Sequence, residues 1–154
     1  MTTLKVGDLA PYFSGSNQNG EQITLSKYNG KKLILYFYPK DDTPGCTAES
    51  CNLNDNYQMW ISKGYEIVGV SPDQVKSHKK FADKFKFGFN LIADPQTEII
   101  QAYGVWGEKN MYGKKYMGVL RTTFVIEDGT IREIFDKVDT QNHTAQIIKT
   151  LDIK

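Results

Sequence analysis

The run Leu33-Ile-Leu-Tyr-Phe-Tyr-Pro39 restricts the fold more than any other part of the sequence. Six apolar residues in a row, without polar alternation, describe a strand buried on both faces, and the proline behind them ends it. Such a strand needs packed elements above and below it. Tyr65-Glu-Ile-Val-Gly-Val-Ser71 reads as a second strand of the same kind. Between the two, Thr43 is a candidate N-cap and Pro44 a first helical residue, and Leu53, Tyr57, Trp60 and Ile61 follow at helical offsets, predicting one helix to about Gly64. Ser71-Pro72-Asp73 then opens a helix with Val75, Ala82 and Phe85 on one side. Strand, helix, strand, helix implies parallel pairing.

The rest predicts a short helix from Pro95 to Tyr103, a glycine-rich loop over Met111 to Gly118, and strands at Val119 to Ile126 and Ile131 to Phe135. The Asp128-Gly129 pair turns the last two strands into a hairpin, and a helix from Gln141 to Leu151 closes the chain. The sum is an α/β sandwich of the thioredoxin type, a central mixed β-sheet flanked by helices, in a single domain over residues 1–154.

Composition narrows the class of function. The 19 basic and 18 acidic residues leave +1, without the basic stripe of a nucleic-acid binder, so no nucleic-acid partner is expected. No run approaches the roughly 18 apolar residues that span a bilayer, and the start carries no secretory core, so the expected location is the cytoplasm, without a membrane partner. In that compartment disulfides are usually transient, catalytic or sensory, which points the two cysteines toward chemistry.

Those cysteines lie in Thr43-Pro-Gly-Cys-Thr-Ala-Glu-Ser-Cys51. Cys46 falls in a first helical turn, where unpaired N–H groups and the helix dipole favour an anion. The dipole alone contributes about 0.3–1 kcal/mol, whereas moving a thiol from about 8.5 to near 6 takes roughly 3.4 kcal/mol. A reactive Cys46 therefore needs a second source, and the Thr43 hydroxyl and the Arg121 cation are the candidates. Residues five apart in an ideal helix have Cα atoms about 9 Å apart, beyond the ~7 Å limit of a disulfide. If Cys46 and Cys51 pair, the helix has to unwind. A zinc site would have to recruit His78 and His143, which no motif connects to the cysteines; both histidines read as structural. A general thiol–disulfide oxidoreductase, a redox sensor or holdase, and two inert buried thiols remain compatible with the pair itself, although the oxidoreductase lacks a Cys-x-x-Cys.

The order Pro39, Thr43, Cys46 resembles the Pro-x-x-x-Thr-x-x-Cys signature of the peroxiredoxins. Thr43-Pro-Gly-Cys-Thr-x-Glu-x-Cys51 is similar to their bacterioferritin comigratory protein, or Q-type, branch. Gly69-Val-Ser-Pro-Asp73, Phe81-Ala-Asp-Lys-Phe85, Tyr103-Gly-Val-Trp-Gly107 and Arg121-Thr-Thr-Phe-Val-Ile126 extend the likeness over nearly the whole chain. The resemblance implies a peroxidatic Cys46, a resolving Cys51 and an active-site Arg121. Beside them Thr43 is the nearby hydroxyl donor, Pro39 either walls the thiolate from water or simply ends the strand, and Glu49 either orients Arg121 through a salt link or is a first-turn acid favouring the helix dipole. It implies a hydroperoxide substrate, a thioredoxin or similar dithiol reductant, no cofactor and no metal. A resolving cysteine on the same helix needs no second subunit, so a monomer is expected. Tyr103, Trp106, Met111, Tyr112, Tyr116 and Met117 read as core, and Lys76, Lys79, Lys80, Lys84 and Lys86 as a solvated helix face.

Overall fold

A computed structural model describes residues 1–154. In chain order the strands are β1 (Ser14–Ser16), β2 (Gln22–Thr24), β3 (Lys32–Phe37), β4 (Tyr65–Ser71), β5 (Asn90–Ala93), β6 (Trp106–Met111), β7 (Lys114–Val119), β8 (Thr122–Glu127) and β9 (Thr130–Phe135). The helices are α1 (Pro44–Asp55), α2 (Tyr57–Ser62), α3 (Val75–Phe85), α4 (Glu98–Ala102) and α5 (His143–Leu151). Seven strands form one sheet in the order β2-β1-β5-β4-β3-β8-β9, while β6 and β7 form a separate hairpin. β3, β4 and β5 are parallel, and β8 runs antiparallel to β3.

The apolar run that restricts the fold is the second strand in from β9 by way of β8, and its alternation explains why both faces are apolar. Leu33, Leu35 and Phe37 enter a cluster with Val68, Val70, Ile92 and Phe124, closed by Phe13, Tyr28 and the α4 residues Ile99 and Ile100. Ile34, Tyr36 and Tyr38 point the other way, into a cluster with Ile67, Leu91 and Val125 that Leu53, Trp60, Phe81 and Ile147 cover from α1, α2, α3 and α5. This is the expected α/β architecture, with Cys46 in the helical layer, facing the second cluster.

Several elements depart from the sequence-based expectation. The long helix to Gly64 breaks at Asn56, whose Nδ2 donates to the Asn52 carbonyl at 2.8 Å while its own N–H reaches back only to Leu53. An asparagine side chain that bonds backbone competes with the regular ladder, and the chain restarts as α2. The restart changes the phase: Trp60 is fully buried and Ile61 is 41% exposed. The buried face of α3 is carried by His78, Phe81 and Ala82, with Phe85 at its edge. β5 is only four residues long, too short for a periodic signal, and the polar β1 and β2 carry none.

The glycine-rich loop is instead the β6–β7 hairpin, turned at Tyr112 and Gly113 with both φ angles positive, 54° and 80°. This also corrects the reading of its aromatic and Met residues as core. Tyr103 is buried, Trp106 half-buried, and Met111, Tyr112, Tyr116 and Met117 are exposed. A two-stranded hairpin has no second layer to hide them.

Candidate active site

Cys46 is held by the junction between β3 and α1. Tyr38 extends the pairing of β3, its N–H donating to Val70 at 3.0 Å, and Pro39 ends it. The next turn is fastened from three sides around Asp41. Its N–H donates to Asp73 Oδ2 at 2.8 Å, and its carboxylate accepts from Tyr38 at 2.6 Å and Ser77 at 2.7 Å, with His78 Nδ1 at 2.7 Å. Burial works against the ionised form of Asp41, but the hydrogen bonds and charge of His78, with Tyr38 and Ser77, hold it below the ordinary carboxylate value. The other nitrogen of His78 meets the Ile92 carbonyl at 3.0 Å. His78, expected to be structural, is so: it ties the loop before α1 to α3 and β5.

α1 then starts with Thr43 as N-cap, Pro44 in its first position and Cys46 in its first turn. The Cys46 side chain is 1% exposed, yet it meets a cation: Arg121 Nη2 donates to Sγ at 3.4 Å. The same guanidinium donates through Nη1 to Glu49 Oε1 at 2.7 Å. Gly45 makes room for this approach, since a Cβ there would lie 3.2 Å from Arg121 Nη2. Burial opposes the charge on Arg121, while Glu49 and Cys46 favour it and keep it protonated.

Glu49 is fully buried, and burial outweighs the attraction of Arg121, so its carboxyl is pushed up to about 7. Glu49 Oε2 has no hydrogen-bond partner; His143 Nε2 lies 3.8 Å away. His143 is driven down to about 4, chiefly by burial.

The structure thus brings together Cys46, Arg121 and Glu49. The Thr43 hydroxyl donates to the Lys40 carbonyl at 2.8 Å, so in this state its proton is committed away from the sulfur, a departure from its expected part as donor. Pro39 is half-buried at the end of β3. Cys51 is a free thiol on the same helix, partly exposed, raised above its ordinary value first by burial and then by the Asp55 carboxylate. The sequence reading passed over Lys109 and took His143 as structural. Lys109 lies near both Arg121 and Cys46, its charge disfavoured by burial and by Arg121, with Nζ donating to the Val119 carbonyl at 2.9 Å. His143 backs onto Glu49. Neither carries a local motif, because each arrives from an element far from Cys46 in sequence.

The model of the AhpC/TSA family matches residues 6–134. Peroxiredoxin Bcp of Escherichia coli is 40% identical over 152 residues, covering 98% of this chain and 97% of its own. Peroxiredoxin Bcp of Bacillus subtilis is 39% identical over 150 residues, covering 97% and 96%. The chain is a Bcp-type peroxiredoxin of the AhpC/TSA family.

Solved structures agree with that membership. Peroxiredoxin Q of Xanthomonas campestris superposes with a TM-score of 0.87 at 37% identity over 98% of this chain and 97% of its own. A mutant of the Xylella fastidiosa PrxQ gives 0.91 at 31% identity over 99% and 98%. The peroxiredoxin fold is thioredoxin-like, and the enzyme is a thiol peroxidase. A surface hollow of this peroxiredoxin, 810 Å³, is lined by Asp41, Asp73, Lys76, Ser77 and Lys80, and Cys46 is not part of its wall. The Cys46–Arg121 contact lies apart from that hollow.

Proposed function

We propose that Cys46 is the thiol that reduces peroxide, with Arg121, Thr43, Pro39 and Glu49 around it and Cys51 as the resolving thiol. The observation that carries this reading is the single guanidinium that donates both to the Cys46 sulfur, at 3.4 Å, and to a buried carboxylate, at 2.7 Å. A cation fixed by Glu49 adds charge and aimed N–H donors to what the helix start supplies. Ionisation is the smaller part of the rate. A free thiol is already a few per cent ionised at neutral pH, so full ionisation gains roughly thirtyfold. The remainder comes from stabilising charge on the departing oxygen, for which Arg121 and the N–H groups of the first turn of α1 are placed. Thr43, with its proton on the Lys40 carbonyl, keeps lone pairs that can accept from the O–H of a hydroperoxide.

In the step itself the Cys46 thiolate forms an S–O bond as the O–O bond breaks. Sulfur loses two electrons, the peroxide gains them, and the departing alkoxide or hydroxide takes a proton. Cys51 then attacks the sulfenic sulfur, water leaves, and a Cys46–Cys51 disulfide forms. A thioredoxin-like dithiol returns both thiols by exchange. α1 holds both cysteines in continuous helix, where five residues of ideal geometry separate Cα atoms by about 9 Å against a disulfide limit of ~7 Å. Resolution therefore unwinds the start of α1.

Hydrogen peroxide and organic hydroperoxides are the substrates of this reading. A Xanthomonas campestris relative 36% identical to the chain is described through its alkyl peroxide reduction activity. Function as a monomer follows from both thiols being on one helix, and a cytoplasmic location from the need for a dithiol reductant. No helix is long and apolar enough to cross a membrane.

The test is peroxide consumption coupled to thioredoxin. Cys46→Ser should abolish it. Cys51→Ser should give one fast turnover and then lose thioredoxin-dependent cycling. Full activity in Cys46→Ser would overturn the assignment, and insulin reduction without peroxide turnover would select a general oxidoreductase instead.

A further inference from the structure

Lys109 is a second cation near Cys46 that peroxide attack, as set out above, does not use. Along β6 it alternates with Glu108 and Asn110, which are exposed while it is half-buried. Burial and the charge of Arg121 both disfavour its ammonium, and Glu108, the acid beside it, turns to Lys115 at 3.6 Å instead. A surface lysine ordinarily lays its stem along the protein and sends its head into water. This head goes to a backbone carbonyl, that of Val119, at 2.9 Å, two residues before Arg121.

The route to that carbonyl is built into the hairpin. β6 pairs with β7 so that Gly107 faces Gly118 and Lys109 faces Tyr116, which puts the four residues on one face. Side chains cross both glycines. A Cβ on Gly118 would lie 3.0 Å from Lys109 Cδ and 3.4 Å from Tyr116 Cε2, and one on Gly107 would lie 2.9 Å from Leu120 Cδ1. The stretch from Val119 to Arg121 is thereby held at successive backbone groups: the Val119 carbonyl by Lys109, the Leu120 N–H by the Val105 carbonyl at 2.7 Å, and the Leu120 carbonyl by the Thr122 hydroxyl at 2.8 Å. A long arginine side chain loses much freedom when it is ordered, so a fixed backbone beneath it lowers the cost of holding two contacts at once.

We propose that Lys109 is a positioning residue for the peroxidase: its bond to the Val119 carbonyl fixes the backbone from which Arg121 reaches Cys46 and Glu49. The proposal rests on Cys46 being the reacting thiol and Arg121 its donor. Without that bond Leu120 keeps its two backbone contacts, but the guanidinium spreads over more positions, so the thiolate and the departing oxygen both lose part of their donor. The titratable groups around the sulfur are Arg121, its partner Glu49 on α1, Tyr36 on β3 and Lys109 on β6. Of these, Arg121 is the one whose backbone Lys109 holds.

The test uses the full chain with Cys51→Ser, so that a single thiol reacts. Stopped-flow mixing with hydrogen peroxide gives the rate constant of attack, and thiolate absorbance in the ultraviolet titrates Cys46. Lys109→Met should slow attack about fivefold, the worth of one hydrogen bond of ordinary strength, and move the thiolate titration to higher pH. Gly118→Val, which keeps the ammonium but blocks the path of its stem, should slow attack to the same extent, and the double variant should be no slower than either single one. With both cysteines present, reduction of the Cys46–Cys51 disulfide by thioredoxin should keep its rate, because unwinding has already parted Cys46 from Arg121. Attack at the parent rate in Lys109→Met would overturn the proposal. So would equal slowing of both halves of the cycle, which assigns Lys109 to the fold alone, or full speed in Gly118→Val, which leaves the charge and not the bond as the cause. Failure of the Cys46 assignment shows separately, as peroxide consumption that survives Cys46→Ser.

Discussion

Glu49 and His143 set opposite pH slopes on the stability of the reduced enzyme. Glu49 rises from its ordinary 4.5 to about 7 in the folded chain, so between those values the native state holds more protons than the unfolded one, and stability falls as pH rises. His143 falls from 6.5 to about 4, so over that window the unfolded state holds more protons, and stability is lost as pH drops. The two windows overlap from 4.5 to 6.5, where the slopes offset. Denaturant titrations should find the native protein nearly flat there and losing stability above it, up to about 7. His143→Phe should expose an uninterrupted fall from 4.5, and Glu49→Gln a rise that levels near 6.5. Identical slopes in all three proteins would show that neither group titrates in these windows. None of this coupling was legible in the sequence, because His143 reaches Glu49 only through the docking of α5 against α1.

At the scale of elements, α1 carries two thiols under opposite constraints. Cys46 is buried against Arg121, whereas Cys51 sits one turn before Asp55, which together with burial keeps its thiol protonated and a poor nucleophile. Asp55 is exposed, so its effect is that of a surface pair at helical spacing, a few tenths of a kcal/mol, or about twofold in rate. Asp55→Asn should therefore speed disulfide formation after a peroxide pulse by about twofold, read by quenched-flow alkylation and mass spectrometry. An unchanged rate would assign the limit to helix opening and not to the thiol. The start of α1 was legible because Thr43, Pro44 and Gly45 are local signals of a helix beginning, and β3 and β4 because continuous apolar runs have one structural use. The break at Asn56 and the β6–β7 hairpin were not. The first depends on a side chain choosing backbone over solvent, and the second on a turn at Tyr112-Gly113 amid residues whose spacing reads as loop. Arg121 became part of the site through family likeness, since 75 residues of spacing separate it from Cys46.

Across the whole molecule, the sheet is locked by apolar packing on both faces, while the start of α1 is held mostly by polar contacts. Its buried face is Cys46, Glu49, Ser50 and Leu53, of which Leu53 alone is a large hydrocarbon. Arg121 holds the first turn, Tyr36 holds Ser50, and Asn52 joins α5, its Nδ2 donating to Gln141 at 3.1 Å and its Oδ1 accepting from Thr144 at 2.8 Å. Segments with few apolar contacts open at lower free energy than the core, so disulfide formation should cost local and not global structure. Hydrogen exchange should then show amides 44–53 losing protection in the Cys46–Cys51 disulfide form. The first turn of α5 should follow them, because unwinding through Asn52 frees Thr144. The amides of β3, β4 and β8 should keep their reduced-state protection, since the cluster that contains Cys46 and Leu53 is also covered by Trp60, Phe81 and Ile147. If α1 stays as protected oxidised as reduced, the two sulfurs meet by some route other than unwinding; if β3 loosens as well, the polar seat of α1 supports the whole sheet and not only its own first turns.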